Sequence, residues 1–182
     1  MRVLLLFATA ALLLASCGGD DNQTVSGNPP ESSKRLGVSS PHFANGRRIP
    51  VRYTCDGADV SPALRWRGVP SGAAEVAILV EDPDAPGGIF VHWTAWGISP
   101  KLRGIADNPD PSAFQQGKNS FGKLGYSGPC PPKGNKPHHY EFHVYALRHP
   151  LGLKDGAEPQ TVRQTIEAIV DAGGTLTGVY GR

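Results

Sequence analysis

Two stretches carry side chains able to do chemistry. The first, Asp82 to Trp93 (DPDAPGGIFVHW), sets two carboxylates in a proline-stiffened loop and then delivers His92 on a strand-like run. The second, Gly128 to His143 (GPCPPKGNKPHHYEFH), supplies His138, His139 and His143 after a turn rich in proline and glycine. Carboxylates near imidazoles suit acid–base work, metal ligation, or polar recognition in a pocket.

Spacing weighs the three. His139 and His143 have an HxxxH spacing that would put both rings on one face of a helix. The residues between them, Tyr, Glu and Phe, read instead as strand. On a strand, positions i and i+4 lie about 13 Å apart, too far to share one zinc. His138 and His139 are neighbours and point to opposite faces. No metal and no cofactor is expected.

Hydrolysis needs a nucleophile. Ser127 lies in Gly125-Tyr126-Ser127-Gly128, one residue short of a GxSxG elbow, and Pro129 follows where that elbow needs a helix. Acid–base work by Asp82 with His92 or His138 stays open, without a third group to act as nucleophile. The chain is expected not to be an enzyme.

A pocket is the third reading. On one strand His92, Thr94 and Trp96 would share a face; on the other, His138 and Tyr140 would. If a sheet brings these runs together, imidazole and phenol donors, a proline wall and N–H groups near Gly128 surround a small anion such as phosphate or carboxylate. That both histidines are core residues with satisfied rings is the competing reading.

The elements that must position these residues are mostly strands. Candidates are Val51–Thr54, Leu64–Trp66, Glu75–Glu81, Phe90–Ile98, Tyr140–Leu147 and Leu176–Tyr180, separated by proline and glycine clusters. One segment, Pro159–Ala172, has helical periodicity, with Pro159 in the first turn and Gly173-Gly174 as the stop. The expected fold is all-β: a β-sandwich with Greek-key connections and a C-terminal helix. The 182 residues include 23 glycines and 17 prolines, and 39% are hydrophobic. A net charge of +2 leaves no electrostatic footprint for nucleic acid.

The N-terminus has its own logic. Arg2 precedes the apolar run Val3–Ala15, which is too short for a comfortable bilayer span and reads as an export signal. Its end, Leu14-Ala15-Ser16-Cys17, resembles the bacterial lipobox. Residues 1–16 are expected to be removed and Cys17 to carry a lipid anchor. Residues 17–35 then form a flexible tether, and 36–182 the folded domain. The protein is expected in the bacterial cell envelope, exported and membrane-anchored. Cys55 and Cys130 remain, and in an oxidising compartment a disulfide between them is expected.

DPDAP with VHW, followed by GPCPPKGNKPHHYEFHVYAL, resembles the phosphatidylethanolamine-binding protein family, in its bacterial Raf-kinase-inhibitor-like branch. Tyr53–Gly57 with Ser61–Trp66, Gly117–Gly122 before Gly125-Tyr126, and Leu176–Arg182 fit the same pattern. The resemblance implies a β-sandwich with a small anion-binding cavity at one end, able to take phospholipid head groups. It implies ligand-binding roles for Asp82, His92, Gly128, Pro131, His138, Tyr140 and Tyr180. One departure is His139, where the family pattern has arginine. Facing away from His138, it is expected to change an ion pair behind the pocket. Asp82 is expected to orient a histidine ring, and Asp84 to cap its own turn or stay solvated. Because the family includes inhibitors of kinases and of a serine carboxypeptidase, a protein partner, such as an envelope protease or another enzyme, is the alternative to a small anion or head group.

Overall fold

The computed structural model describes residues 24–25 and 27–182; the expected signal segment and Cys17 lie outside the described residues. In chain order the strands are β1 (Thr24–Val25), β2 (Lys34–Arg35), β3 (Gly37–Ser39), β4 (Arg47–Arg48), β5 (Leu64–Arg67), β6 (Glu75–Asp82), β7 (Ile89–Ile98), β8 (Gly104–Ile105), β9 (Gln115–Gln116), β10 (His138–Leu147) and β11 (Val170–Tyr180). One α-helix, α1 (Pro159–Ile169), precedes β11.

Eight strands form one sheet in the order β1-β7-β6-β10-β11-β2, with β4 also on β11 and β9 also on β7. Its centre is antiparallel. β6 is buried at every position, which is why EVAILVED is a nearly unbroken apolar run rather than an alternating one. A smaller sheet, β3-β5-β8, packs on one face of the larger. There Leu64 and Trp66 meet Ile78, Val80, Trp93, Phe142 and Val144. α1 covers the other face, where Val162 and Ile166 meet Ala77, Leu79, Val91, Trp96 and Leu147. The expected strand-dominated fold with one late helix is the fold observed.

Three local expectations are corrected. Val51–Tyr53 is a 3-10 turn, not a strand. The Tyr53 N–H donates to the Pro50 carbonyl, and Thr54 donates to the Val51 carbonyl through both its N–H and its hydroxyl. Local bonds of this kind outcompete the β-preference of Val and Tyr.

The helix stops at Ile169, before Gly173-Gly174. Residue 170 is already strand, because β11 pairs with β10 from Val170 to Tyr180. The two glycines lie inside that strand, and a Cβ on Gly174 would collide with the Leu36 carbonyl. They admit a neighbouring chain at close range rather than ending a helix.

Residues 24–25 and 27–35, expected within a tether, dock on the domain. β1 pairs with β7 and β2 with β11. Arg163, buried on α1, donates to the carbonyls of Gly27 and Asn28 and to the buried Glu81 carboxylate at 2.6 Å. The folded unit therefore begins upstream of Leu36.

Candidate functional site

The position of His92 follows from an irregularity. Along the β6–β7 pair, Val80 faces Trp93 but Glu81 faces Val91, so His92 is an extra residue in β7. Such a bulge resets the alternation of the strand. Val91 and Trp96 pack under the helix, whereas Trp93 and Ala95 enter the inter-sheet core. His92 packs with Phe90, Phe121 and Tyr140 at centroid distances of 5.1–5.8 Å. It therefore does not share a face with Trp96, as simple alternation had suggested.

His92 is buried, and its Nδ1 lies 2.7 Å from the Ser127 carbonyl. Burial pushes the imidazole below its usual range; the Ser127 carbonyl, the Asp82 charge and the Gly128 backbone only partly offset this. A carbonyl can only accept, so Nδ1 carries the proton and Nε2 of the neutral ring is left as an acceptor.

His138 repeats the arrangement from the next strand but one. Its Nδ1 lies 2.8 Å from Asp82 Oδ2, and both side chains are buried. The other oxygen of Asp82 accepts the Asp84 N–H at 2.9 Å. Asp82 thus caps its own loop and orients His138. It does not orient His92. Asp84 departs from its expected role. Its Oδ2 accepts both the backbone N–H (2.8 Å) and the ring Nδ1 (2.7 Å) of His139, tying the DPDAP loop to β10. Those bonds hold the Asp84 carboxyl below its usual range against partial burial.

Asp82, His92, Pro131 and His138 line one cavity of about 190 Å³. Ala85, Pro86, Phe90, Phe121, Cys130 and Pro132 complete its apolar wall. This is below the size of a typical drug-sized site, and fits a small group. Cys130 is bonded to Cys55 across a Cα separation of 5.4 Å, which joins the proline turn to the 54–57 loop.

Three expected residues stand behind the wall instead of lining it. The Gly128 N–H donates to Asp59 Oδ1 at 2.6 Å and is not offered to the cavity. A side chain there would collide with the Tyr53 carbonyl, so glycine is required for packing. Tyr140 is fully buried between the two histidines, edge-on to His92 and stacked on His138. Burial and the nearby Asp82 charge push its phenol up, and its hydroxyl makes no hydrogen bond of normal geometry. Tyr180 donates to Asp56 at 2.6 Å, below the Arg48 guanidinium.

Phe90, Phe121 and Ser127 were not read from the sequence as parts of this site. Phe121 lies in the GKNSFG stretch, whose Asn119 holds the loop by donating to the Gly125 carbonyl and to Ser127 Oγ. Ser127 contributes its carbonyl, and its hydroxyl is buried. His143 lies on the opposite face of the sheet, near Glu141 (3.2 Å), Glu81 (3.5 Å) and Thr175 (2.9 Å). Exposed His139 and buried His143 serve separate clusters.

The sequence and the fold are similar to those of known proteins. The family profile described as phosphatidylethanolamine-binding protein matches residues 39–181. A UPF0098 protein of Pyrococcus horikoshii, PH1269, is 40% identical over 184 residues, covering 98% of this chain and 88% of its own. The Mycobacterium tuberculosis protein named "Putative lipoprotein LppC" is 42% identical over 152 residues, 84% of this chain and 75% of its own. Among solved structures, Escherichia coli YbcL, described as a member of the mammalian PEBP family, superposes with a TM-score of 0.77 at 33% identity. The match covers 81% of this chain and 99% of YbcL. The chain belongs to the phosphatidylethanolamine-binding protein family.

Proposed function

We propose that the chain is a non-enzymatic binding protein whose cavity between β7 and β10 holds a small anion or the phosphorylated head group of a lipid. One observation carries this reading. His92 and His138 both have Nδ1 committed to a pure acceptor, Ser127 O and Asp82 Oδ2, and both line the same small cavity. Each Nε2 is therefore the group left for a ligand. The Asp82 carboxylate, which would repel a phosphate, has both oxygens occupied by protein donors.

The tautomers set a condition on the ligand. A neutral Nε2 accepts, so an anion is bound only together with a proton, either on a ring or as a P–OH on the ligand itself. The apolar wall of Phe90, Phe121 and the prolines strengthens such bonds by excluding water. No hydroxyl, amine or free thiol among the described residues lines the cavity to act as a nucleophile, and the Cys130 sulfur is in a disulfide.

The protein acts at a membrane of the cell envelope, held by a lipid on Cys17. The lipobox-like end of the apolar run and the name of the mycobacterial relative support this. Cys17→Ser is expected to move the protein from the membrane fraction to the soluble one; persistence in membranes would remove the anchor assignment. For the cavity, calorimetric titration with inorganic phosphate is expected to show binding that His92→Ala or His138→Ala weakens by at least about tenfold. Equal affinity in both variants would remove the assignment.

A further inference from the structure

The large apolar side chains that stand exposed among the described residues are Val51, Leu102, Phe121 and Leu124. Two of the four share one loop, and Lys123, also exposed, stands between them. Leu124 is 60% exposed and Phe121 37%. Single exposed apolar residues are ordinary on a protein surface. An apolar pair around a lysine suits a lipid interface, where the apolar groups bury below the head groups and the ammonium stays among them.

The loop is built to present these side chains. Asn119 Oδ1 accepts the N–H groups of Phe121 (3.0 Å) and Lys123 (3.1 Å). The Asn119 N–H donates to the Lys123 carbonyl at 2.8 Å, and the Gly122 N–H donates to the Asn119 carbonyl at 2.9 Å. Gly122 makes the turn at a φ of 74°, with open space around it. The tip therefore satisfies much of its own backbone, as a segment entering a medium without water must.

Position gives the loop its partner. Phe121 lines the cavity of His92 and His138, so the loop stands at that cavity. Ser120 is fixed to β7: its N–H donates to the Val91 carbonyl, and its hydroxyl accepts the Val91 N–H. β1 pairs with the two residues just before Val91, Thr24 opposite Phe90 and Val25 opposite Ile89. Thr24 lies seven residues after Cys17, a reach of at most about 25 Å. A lipid on Cys17 thus holds this end of the domain near the bilayer, rather than the 68–74 loop at the other end of β6. Exposed Lys133 and Lys136 follow Pro131 and Pro132 of the cavity wall. The carboxylates nearby are held, Asp84 by His139 and Asp56 by Tyr180 and Arg182. Such a rim suits an anionic lipid surface.

We infer that residues 121–124 dip into the interface of an anionic bilayer and set the cavity against it, so that a head group enters without its lipid leaving the membrane. This rests on the reading of Cys17 as the anchor and of the cavity as a head-group site.

Leu124→Trp in the full-length protein tests it, on vesicles of phosphatidylethanolamine and phosphatidylglycerol with and without brominated acyl chains. The native Trp66, Trp93 and Trp96 are buried and give a constant background. Ser71→Trp, at an exposed position of the 68–74 loop, is the control. The Leu124→Trp emission is expected to shift to the blue on vesicles, and brominated lipid to quench the added emission at least about twofold. Ser71→Trp is expected to show neither change. Equal responses of the two variants, or no response of Leu124→Trp, would overturn the inference. A protein that does not stay with the vesicles would overturn it too. A blue shift that needs no vesicles and grows with protein concentration would assign the loop to a second copy of the chain, with the same consequence. Titration with inorganic phosphate in solution reads the cavity separately. Phosphate binding with an unquenched Leu124→Trp removes the membrane contact and leaves the cavity reading. Quenching without phosphate binding supports the contact and removes the cavity reading.

Discussion

Asp82 Oδ2 stands 2.8 Å from His138 Nδ1, while its other oxygen takes the Asp84 N–H. The carboxylate that looked like a catalytic or repulsive group is thus consumed in fixing one ring and one turn. Its neighbour Glu81 points through the sheet to the opposite face, where Arg163 and His143 meet it. Two adjacent residues of β6 therefore anchor two separate polar clusters.

Replacing Asp82 tests its orienting role. Asp82→Asn supplies an amide that can donate as well as accept, so the His138 tautomer is no longer fixed. Phosphate affinity is expected to fall by about tenfold, with the strand content by circular dichroism unchanged. Unchanged affinity would show that the ring does not depend on Asp82.

Gly128 separates packing from ligand contact. A methyl group there would run into the Tyr53 carbonyl, the Thr54 backbone and Asp59. Gly128→Ala is expected to cost about 1–3 kcal/mol in denaturant unfolding, typical of forced overpacking. No loss of stability would mean that the 125–128 loop relaxes freely.

Arg163 tests the docked N-terminal segment. Arg163→Met leaves the buried Glu81 without its closest cationic partner and cuts the bonds to Gly27 and Asn28. Breaking a buried pair this way costs about 3–5 kcal/mol. Faster amide exchange is expected in residues 27–35. The exposed Lys118–Glu158 pair offers a control, because Lys118→Ala should change stability by only about 0–1 kcal/mol. Equal effects of the two variants would contradict the account.

His143 sets a pH dependence. Burial alone would lower its pKa, but hydrogen bonds and charge from Glu141 and Glu81 outweigh burial and hold it above the usual imidazole value. The folded state then binds a proton that the unfolded chain releases at about pH 6.5. This contribution is complete below that pH and is lost as pH rises through the higher folded value. Wild-type stability should therefore decline from pH 6.5 upward more steeply than that of His143→Gln, measured by urea unfolding. Parallel profiles would contradict the linkage.

The sequence was most legible where burial leaves a continuous signature. EVAILVE and FVHWTAWGI are apolar because they run through the middle of a covered sheet, and periodicity finds such runs. The His92 bulge was not legible, since one extra residue in a ladder leaves no mark in composition and yet moves Thr94 and Trp96 to the other face. The docking of residues 27–35 was equally hidden. It rests on the two-residue strand β2 and on carbonyls held by Arg163. Asp82, His92 and His138, singled out from their motif, line one cavity, whereas Tyr140, Tyr180 and Gly128, expected beside them, are not among its lining residues. Which side of a wall a residue occupies depends on register and partner, here Asp56 for Tyr180 and Asp59 for Gly128.

The most direct test of the central claim is a calorimetric titration of the wild-type protein with sulfate from pH 5.5 to pH 8. Sulfate carries no proton of its own in this range, so every hydrogen bond it receives from Nε2 needs a protonated ring. The account predicts that affinity falls by at least about tenfold across the range and that binding takes up protons, seen as a dependence of the heat on the buffer's ionisation enthalpy. A flat affinity with no proton uptake would contradict it.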